Sequence, residues 1–161
     1  MLRNIIIIMA LIFFVSCNDL LVKSEYKPVN GGSWNKDSIV EFTFNADDTL
    51  QKHDMFINLR NDDDFPYTNL FLIAELSFPS GDVVTDTLEY EMALPDGQWL
   101  GKGAGSIKEN MLWYKENIAF PNSGVYTLRL SHAMRKNGNV TGLVNLDGVT
   151  DVGYEIVKRN Q

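Results

Sequence analysis

From residue 33 onward the chain alternates between apolar and polar positions. Val40, Phe42 and Phe44 share one face of a run over 38–44, and Met55, Ile57 and Leu59 share one face of the next. Leu70, Leu72, Ala74, Leu76 and Phe78 continue the pattern, with Phe71 and Ile73 opposite them, so this segment is expected to be covered on both sides at its start. Leu88, Tyr90 and Met92 alternate within 84–92, and Tyr126, Leu128 and Leu130 lead into His132. Shorter runs fall at 99–102, 111–115 and 152–157. Period two marks half-buried strands.

The breaks between runs are turn chemistry: Pro79-Ser80-Gly81-Asp82, Pro95-Asp96-Gly97, Pro121-Asn122-Ser123-Gly124 and Lys136-Asn137-Gly138-Asn139. No stretch after the N-terminal segment holds a helical period over three turns. The pattern predicts an all-β domain over 33–161, an antiparallel β-sandwich of about eight strands, Ig-like or jelly-roll-like. The string from Ser123 to Leu130 resembles a strand carrying a tyrosine corner, in which the Tyr126 hydroxyl pins a loop between the sheets.

The N-terminus breaks this pattern. Arg3 precedes an unbroken apolar run from Ile5 to Phe14, too short to span a bilayer and suited to the core of a signal peptide. Val15, Ser16 and Cys17 follow, and Cys17 is the only cysteine. A thiol at the cleavage position resembles the bacterial lipobox, where it receives diacylglycerol before cleavage. The expectation is a signal peptide over 1–16 and a mature N-terminus at Cys17 carrying fatty acyl chains, which anchor firmly when there are two or three of them. A plain secretory signal with a bystander cysteine is the alternative. Residues 17–32, with Pro28, Gly31 and Gly32, read as a lipidated tether reaching at most ~50 Å. A first edge strand over 26–29 is the other reading.

Composition narrows the function. Net charge is −7 and the pI about 4.7, which lacks the footprint of a nucleic-acid binder. One cysteine precludes a disulfide within the chain, and two histidines leave little for a His-rich metal site or a catalytic triad. Asp62, Asp63 and Asp64 lack the spacing of a calcium loop and read as an exposed acidic loop. Gly101, Gly103 and Gly105 neither follow a parallel strand nor open a helix, which leaves a bulged strand end. His132 is expected to be buried and hydrogen-bonded. Trp34, Trp99 and Trp113 read as core, although sugar-binding sandwiches present such rings on their surface. No nucleophile–base pair is evident, so no enzyme, cofactor or metal is expected apart from the lipid on Cys17.

Two surface features remain. Phe65, Pro66 and Tyr67 follow the acidic run, and are expected either to form an interaction loop or to cap the end of the sandwich. Asp37-Ser38-Ile39, Asp48-Thr49-Leu50 and Asp86-Thr87-Leu88 resemble the O-glycosylation signal of exported Bacteroidetes proteins, which makes Ser38, Thr49 and Thr87 candidate acceptors at strand boundaries.

Three stretches carry a wider resemblance: Asn58 to Asn61 running through Phe65-Pro66-Tyr67-Thr68-Asn69-Leu70-Phe71-Leu72, then Asp86 to Met92 with Pro95 to Gly101, then Ser131 to Arg135 with Gly148 to Gly153. With Cys17 ahead of them, they resemble the gliding-motility lipoprotein H family (GldH) of the Bacteroidetes. The resemblance implies a non-enzymatic cell-envelope lipoprotein, at the outer membrane, linked to gliding motility and type IX secretion. Its expected partners are the membrane, through the anchor, and envelope lipoproteins or outer-membrane proteins of that machinery. A carbohydrate-binding surface lipoprotein for nutrient capture is the alternative.

Overall fold

The computed structural model describes residues 20–159. Cys17 and the signal peptide lie outside the described residues. Ten strands occur among those described: β1 (Leu21–Pro28), β2 (Ser33–Asn35), β3 (Val40–Ala46), β4 (His53–Asn61), β5 (Asn69–Ser77), β6 (Val83–Glu91), β7 (Lys108–Ile118), β8 (Gly124–His132), β9 (Asn145–Asp147) and β10 (Val149–Lys158). The expectation of about eight strands counts 99–102 and omits β1, β2 and β9, of which β2 and β9 are three residues each.

Pairing is nested about a single turn. β5 pairs with β6, β4 with β7, β3 with β8, β2 with β9 and β1 with β10, all antiparallel. The chain is thus one long hairpin folded back at Phe78–Asp82, where the Phe78 N–H donates to the Asp82 carbonyl at 2.8 Å. Rolling that hairpin adds two more antiparallel pairs, β10 with β4 and β5 with β8. The result is a sheet in the order β1-β10-β4-β7 facing one in the order β3-β8-β5-β6, the jelly-roll form of the sandwich.

The alternation becomes the core. Phe42 and Phe44 of β3 meet Ile57 and Leu59 of β4, Leu72 and Leu76 of β5, Leu128 of β8 and Tyr154 of β10 in one buried cluster. Tyr126 is fully buried, and its hydroxyl donates to the Asn122 carbonyl at 2.8 Å while accepting from the Asn122 N–H at 3.2 Å. The tyrosine corner anticipated from the sequence is present, and it locks the connection between β7 and β8.

Two segments differ from expectation. Leu21–Pro28, read as tether, is an edge strand in register with β10. It carries no alternation because Leu21, Val22, Lys23 and Ser24 are all exposed. What holds it is ladder pairing and two side chains, Tyr26 and Lys27, the latter donating to the Glu41 carbonyl and lying 5.2 Å over the Phe42 ring. The Tyr26 ring lies on Gly153, where a Cβ would come within 2.8 Å of it, and stacks against the Arg60 guanidinium at 4.1 Å. The second segment, 99–102, forms no strand. It makes single bridges, Ala93 to Trp99 and Lys102 to Glu109.

The strand directions give the sandwich two unlike ends. Short connections at 47–52, 78–82 and 119–123 close the end where β1 begins. The longer segments 29–39, 62–68, 92–107 and 133–148 gather at the other, distal end.

Candidate functional site

Phe65 is not displayed by its loop. It is only 2 % exposed, because the chain at Gly148 passes directly beneath it. Gly148 has φ +79°, and a Cβ there would lie 2.1 Å from the Phe65 nitrogen. The acidic run folds as a turn that presses the ring inward: the Asp62 carboxylate accepts from the Asp64 N–H at 3.0 Å, and the Asp62 N–H donates to the Gly148 carbonyl at 2.9 Å. The interaction-loop expectation therefore fails at Phe65, which plugs the distal end of the core. Pro66 is exposed and Tyr67 half-buried, so only the rim of the loop meets solvent. Among the described residues, no group of three or more His, Cys, Asp or Glu side chains is placed to hold a metal ion.

Phe65 makes edge-on contacts with Tyr67 and with Trp99, each at 6.1 Å. Leu94 and Leu100, on the neighbouring loop, are exposed. From Leu100 an open groove runs along β7, lined by Glu91, Leu100, Lys102, Glu109 and Met111. It leads to Trp113.

Trp113 is the residue the sequence misplaces most. It is 54 % exposed, on the outer face of the β1-β10-β4-β7 sheet, and Met111 beside it is 51 % exposed. Both faces of β7 are apolar, since Leu112 and Tyr114 point inward, so alternation could not assign the sides. Phe56 of β4 backs the Trp113 ring at 4.3 Å and a tilt of 51°. β7 is also an edge strand of its sheet. Lys102 exchanges both backbone bonds with Glu109, so the backbone groups of Glu109, Met111 and Trp113 point away from β4. The Trp113 carbonyl is taken by the Tyr90 hydroxyl at 2.6 Å, and burial raises that tyrosine's pKa to about 12.

Charges frame the patch. The Tyr26 hydroxyl donates to Glu109, and Arg60 lies 3.4 Å from the same carboxylate. Burial and this carboxylate push the Tyr26 pKa well above the usual range for tyrosine. Beneath β7, Asp86 turns inward to Lys115 at 2.7 Å and to the Tyr114 hydroxyl at 3.2 Å, which ties the two sheets along one side.

The remaining candidates separate. Ser38 and Thr87 are exposed, and Thr49 is half-buried. Ser38 and Thr49 lie in connections, whereas Thr87 sits in the middle of β6 rather than at its boundary. His132 is buried as expected, with its ring edge-on to Trp34 at 5.6 Å and its nitrogens facing the Trp34 and Val144 backbone at loose geometry. Trp34 is buried and donates to the Ser38 carbonyl at 2.9 Å.

A two-sheet β-sandwich whose sequence matches a lipoprotein family defines a class, the lipid-anchored proteins of the cell envelope. The sequence profile of the GldH lipoprotein family matches residues 21–156, starting at the first residue of β1. The chain belongs to this family. A gliding motility lipoprotein GldH homolog of Christiangramia forsetii is 49% identical over 153 residues, covering 95% of this chain and 93% of its own. The gliding motility lipoprotein GldH of Flavobacterium johnsoniae is 42% identical over 155 residues, covering 96% of each. Among solved structures, the VP2 subviral particle of infectious bursal disease virus aligns at a TM-score of 0.40 and 13% identity, over 84% of this chain and 32% of that one.

Proposed function

We propose that the protein is a non-enzymatic assembly component of an envelope machine serving gliding motility and type IX secretion. It is held at the outer membrane by lipid on Cys17 and docks another envelope protein. The observation that carries this reading is the apolar surface along β7. Met111 and Trp113 are large, exposed and on one face of β7, an edge strand closed by Lys102 at Glu109 and by Tyr90 at the Trp113 carbonyl but open around Met111. An aromatic anchor beside the outward backbone groups of Met111 suits a protein partner, which can pair with this part of the edge and bury the ring. A photo-crosslinking residue in place of Trp113, in intact host cells, is expected to capture a discrete envelope protein identifiable by mass spectrometry. The same residue in place of Thr43, on the outer face of the opposite sheet, is expected to capture none. Equal capture at both positions, or none at Trp113, overturns the reading.

The exposed Trp113 ring also favours carbohydrate binding as a second reading. The tilt between Trp113 and Phe56 weighs against it, because a sugar stacks best on a flat platform. Retention on immobilised polysaccharide that is lost in Trp113→Ala would reverse the order of the two readings.

A further inference from the structure

The end of the sandwich that carries the short connections has an exposed apolar cluster. Leu20, Leu21 and Val22 are exposed at the start of β1, and Leu50 is 86 % exposed in the connection between β3 and β4. The two segments lie side by side across the end of β10. The Lys158 N–H donates to the Leu20 carbonyl at 2.7 Å, and the Arg159 N–H donates to the Lys52 carbonyl at 2.9 Å. Leu50 is held out by its own turn, since the Asp48 carboxylate accepts from the Leu50 and Gln51 N–H groups at 2.9 and 3.0 Å.

Charge around this cluster is close to balanced rather than strongly acidic, since Asp19 also precedes Leu20 in the sequence. Lys23, Lys52 and Lys158 surround it, with Asp47 and Asp48 as the opposing carboxylates. Arg159 is already paired with Asp54 at 3.2 Å and Glu116 at 2.9 Å. Exposed aliphatic groups with lysines beside them suit an interfacial seat: the aliphatic groups enter the acyl boundary and the ammonium groups can meet lipid phosphates.

The length of chain ahead of the domain selects the occupant. With β1 starting at Leu21, only three residue steps separate Cys17 from Leu20, a reach of ~10 Å at full extension. That distance is shorter than the ~50 Å expected of a tether and shorter than the Debye length of ~8–10 Å plus a headgroup layer. A lipid on Cys17 therefore brings Leu20 to the membrane whether or not the surface favours it. We propose that this end of the sandwich seats directly on the lipid surface, with Leu20–Val22 and Leu50 in the interface and Lys23, Lys52 and Lys158 at the phosphates. The domain then stands upright, with its distal end and the β7 groove turned away from the bilayer. This inference rests on the reading that Cys17 is acylated.

The test uses the full lipidated chain in vesicles of phosphatidylethanolamine with a minority of phosphatidylglycerol. Because acylation occupies the native thiol, Lys52→Cys and Asn137→Cys each supply a single labelling position, at the proximal and distal ends respectively. Flotation with the vesicles reports the anchor. A small environment-sensitive label at position 52 is expected to be several-fold less accessible to a soluble quencher than one at 137. Lys52→Cys removes a basic group from the seat, so shielding at that position is measured against the proposal's own interest. Equal quenching at both positions in floated vesicles overturns the seat and leaves the anchor standing. Absence of flotation overturns the anchor, and the seat with it.

Discussion

The two ends of the sandwich solve different problems. At the β1 end, three connections of five or six residues close the strands, and the Tyr126 corner locks one of them. At the distal end, four longer segments cross between the sheets, and the core is sealed by Phe65 seated on Gly148. Short turns leave little chain to vary, whereas long ones provide surface that a partner can read. On the proposals above, the anchor emerges at the simple end and the elaborated end is the one farther along the strands, so that a single jelly roll would keep attachment apart from recognition.

The largest expected effect tests which end is attached. Cys17→Ser should move the protein from the membrane fraction to the soluble envelope fraction, or leave an unprocessed precursor. A variant that stays in the membrane fraction as mature protein, with no lipid at its N-terminus, would break the comparison at its root.

The next effect concerns the seal. Phe65→Ala removes a fully packed ring and should cost about 3–5 kcal/mol, and Gly148→Ala should cost about 2 kcal/mol or more, because the backbone at Phe65 must shift. Trp113→Ala should stay within about 1 kcal/mol of the parent. Urea midpoints separate these outcomes. If Trp113→Ala proves as damaging as Phe65→Ala, the β7 surface is part of the core and the docking proposal loses its footing.

A smaller effect falls at the anchored end. Tyr126→Phe keeps the ring buried and removes only the two hydrogen bonds to Asn122, so a loss of about 1–2 kcal/mol is expected. Hydrogen exchange should then rise at 119–123 and leave the distal segments unchanged. A loss spread evenly over the domain would mean that the corner does not act locally.

How far the sequence revealed these ends follows from where packing is regular. β3, β5 and β8 bury one residue in two, so alternation located them and named their inward faces. The tyrosine corner was legible because its donor and acceptor lie four residues apart. β1 was not, since its stability comes from pairing with residues some 130 positions away, Leu21 with Val157 and Tyr26 with Gly153, and its own side chains carry almost no pattern. For Phe65 the sequence leaves display and capping open, because three aspartates precede an apolar ring; the approach of Gly148, a tertiary fact, decides for the cap. Trp113 looked buried by its size. On a strand apolar on both sides, size does not distinguish inside from outside.

The smallest expected effect is one the two ends share. His53 lies near the anchored end against Phe120, with ring centroids 5.4 Å apart, and His132 lies near the distal end against Trp34. Burial lowers the pKa of both, because each protonated imidazolium would have to be desolvated. Asp48 and Asp54 oppose that shift at His53, while Lys158 there and Lys36 at His132 reinforce it. A histidine with a folded-state pKa below its unfolded value of about 6.5 binds fewer protons when folded. Its contribution to stability is complete above about 6.5 and is lost as the pH falls from there through the depressed folded-state value. Between about pH 7.5 and 5.5, where most carboxylates remain ionised, the urea midpoint should therefore drift down, with exchange rising at both ends together. His53→Leu and His132→Leu should each remove part of the drift, and the double variant most of it. A midpoint that does not move over this range, or a drift that persists unchanged in the double variant, would show that the two imidazoles are not what makes the ends alike.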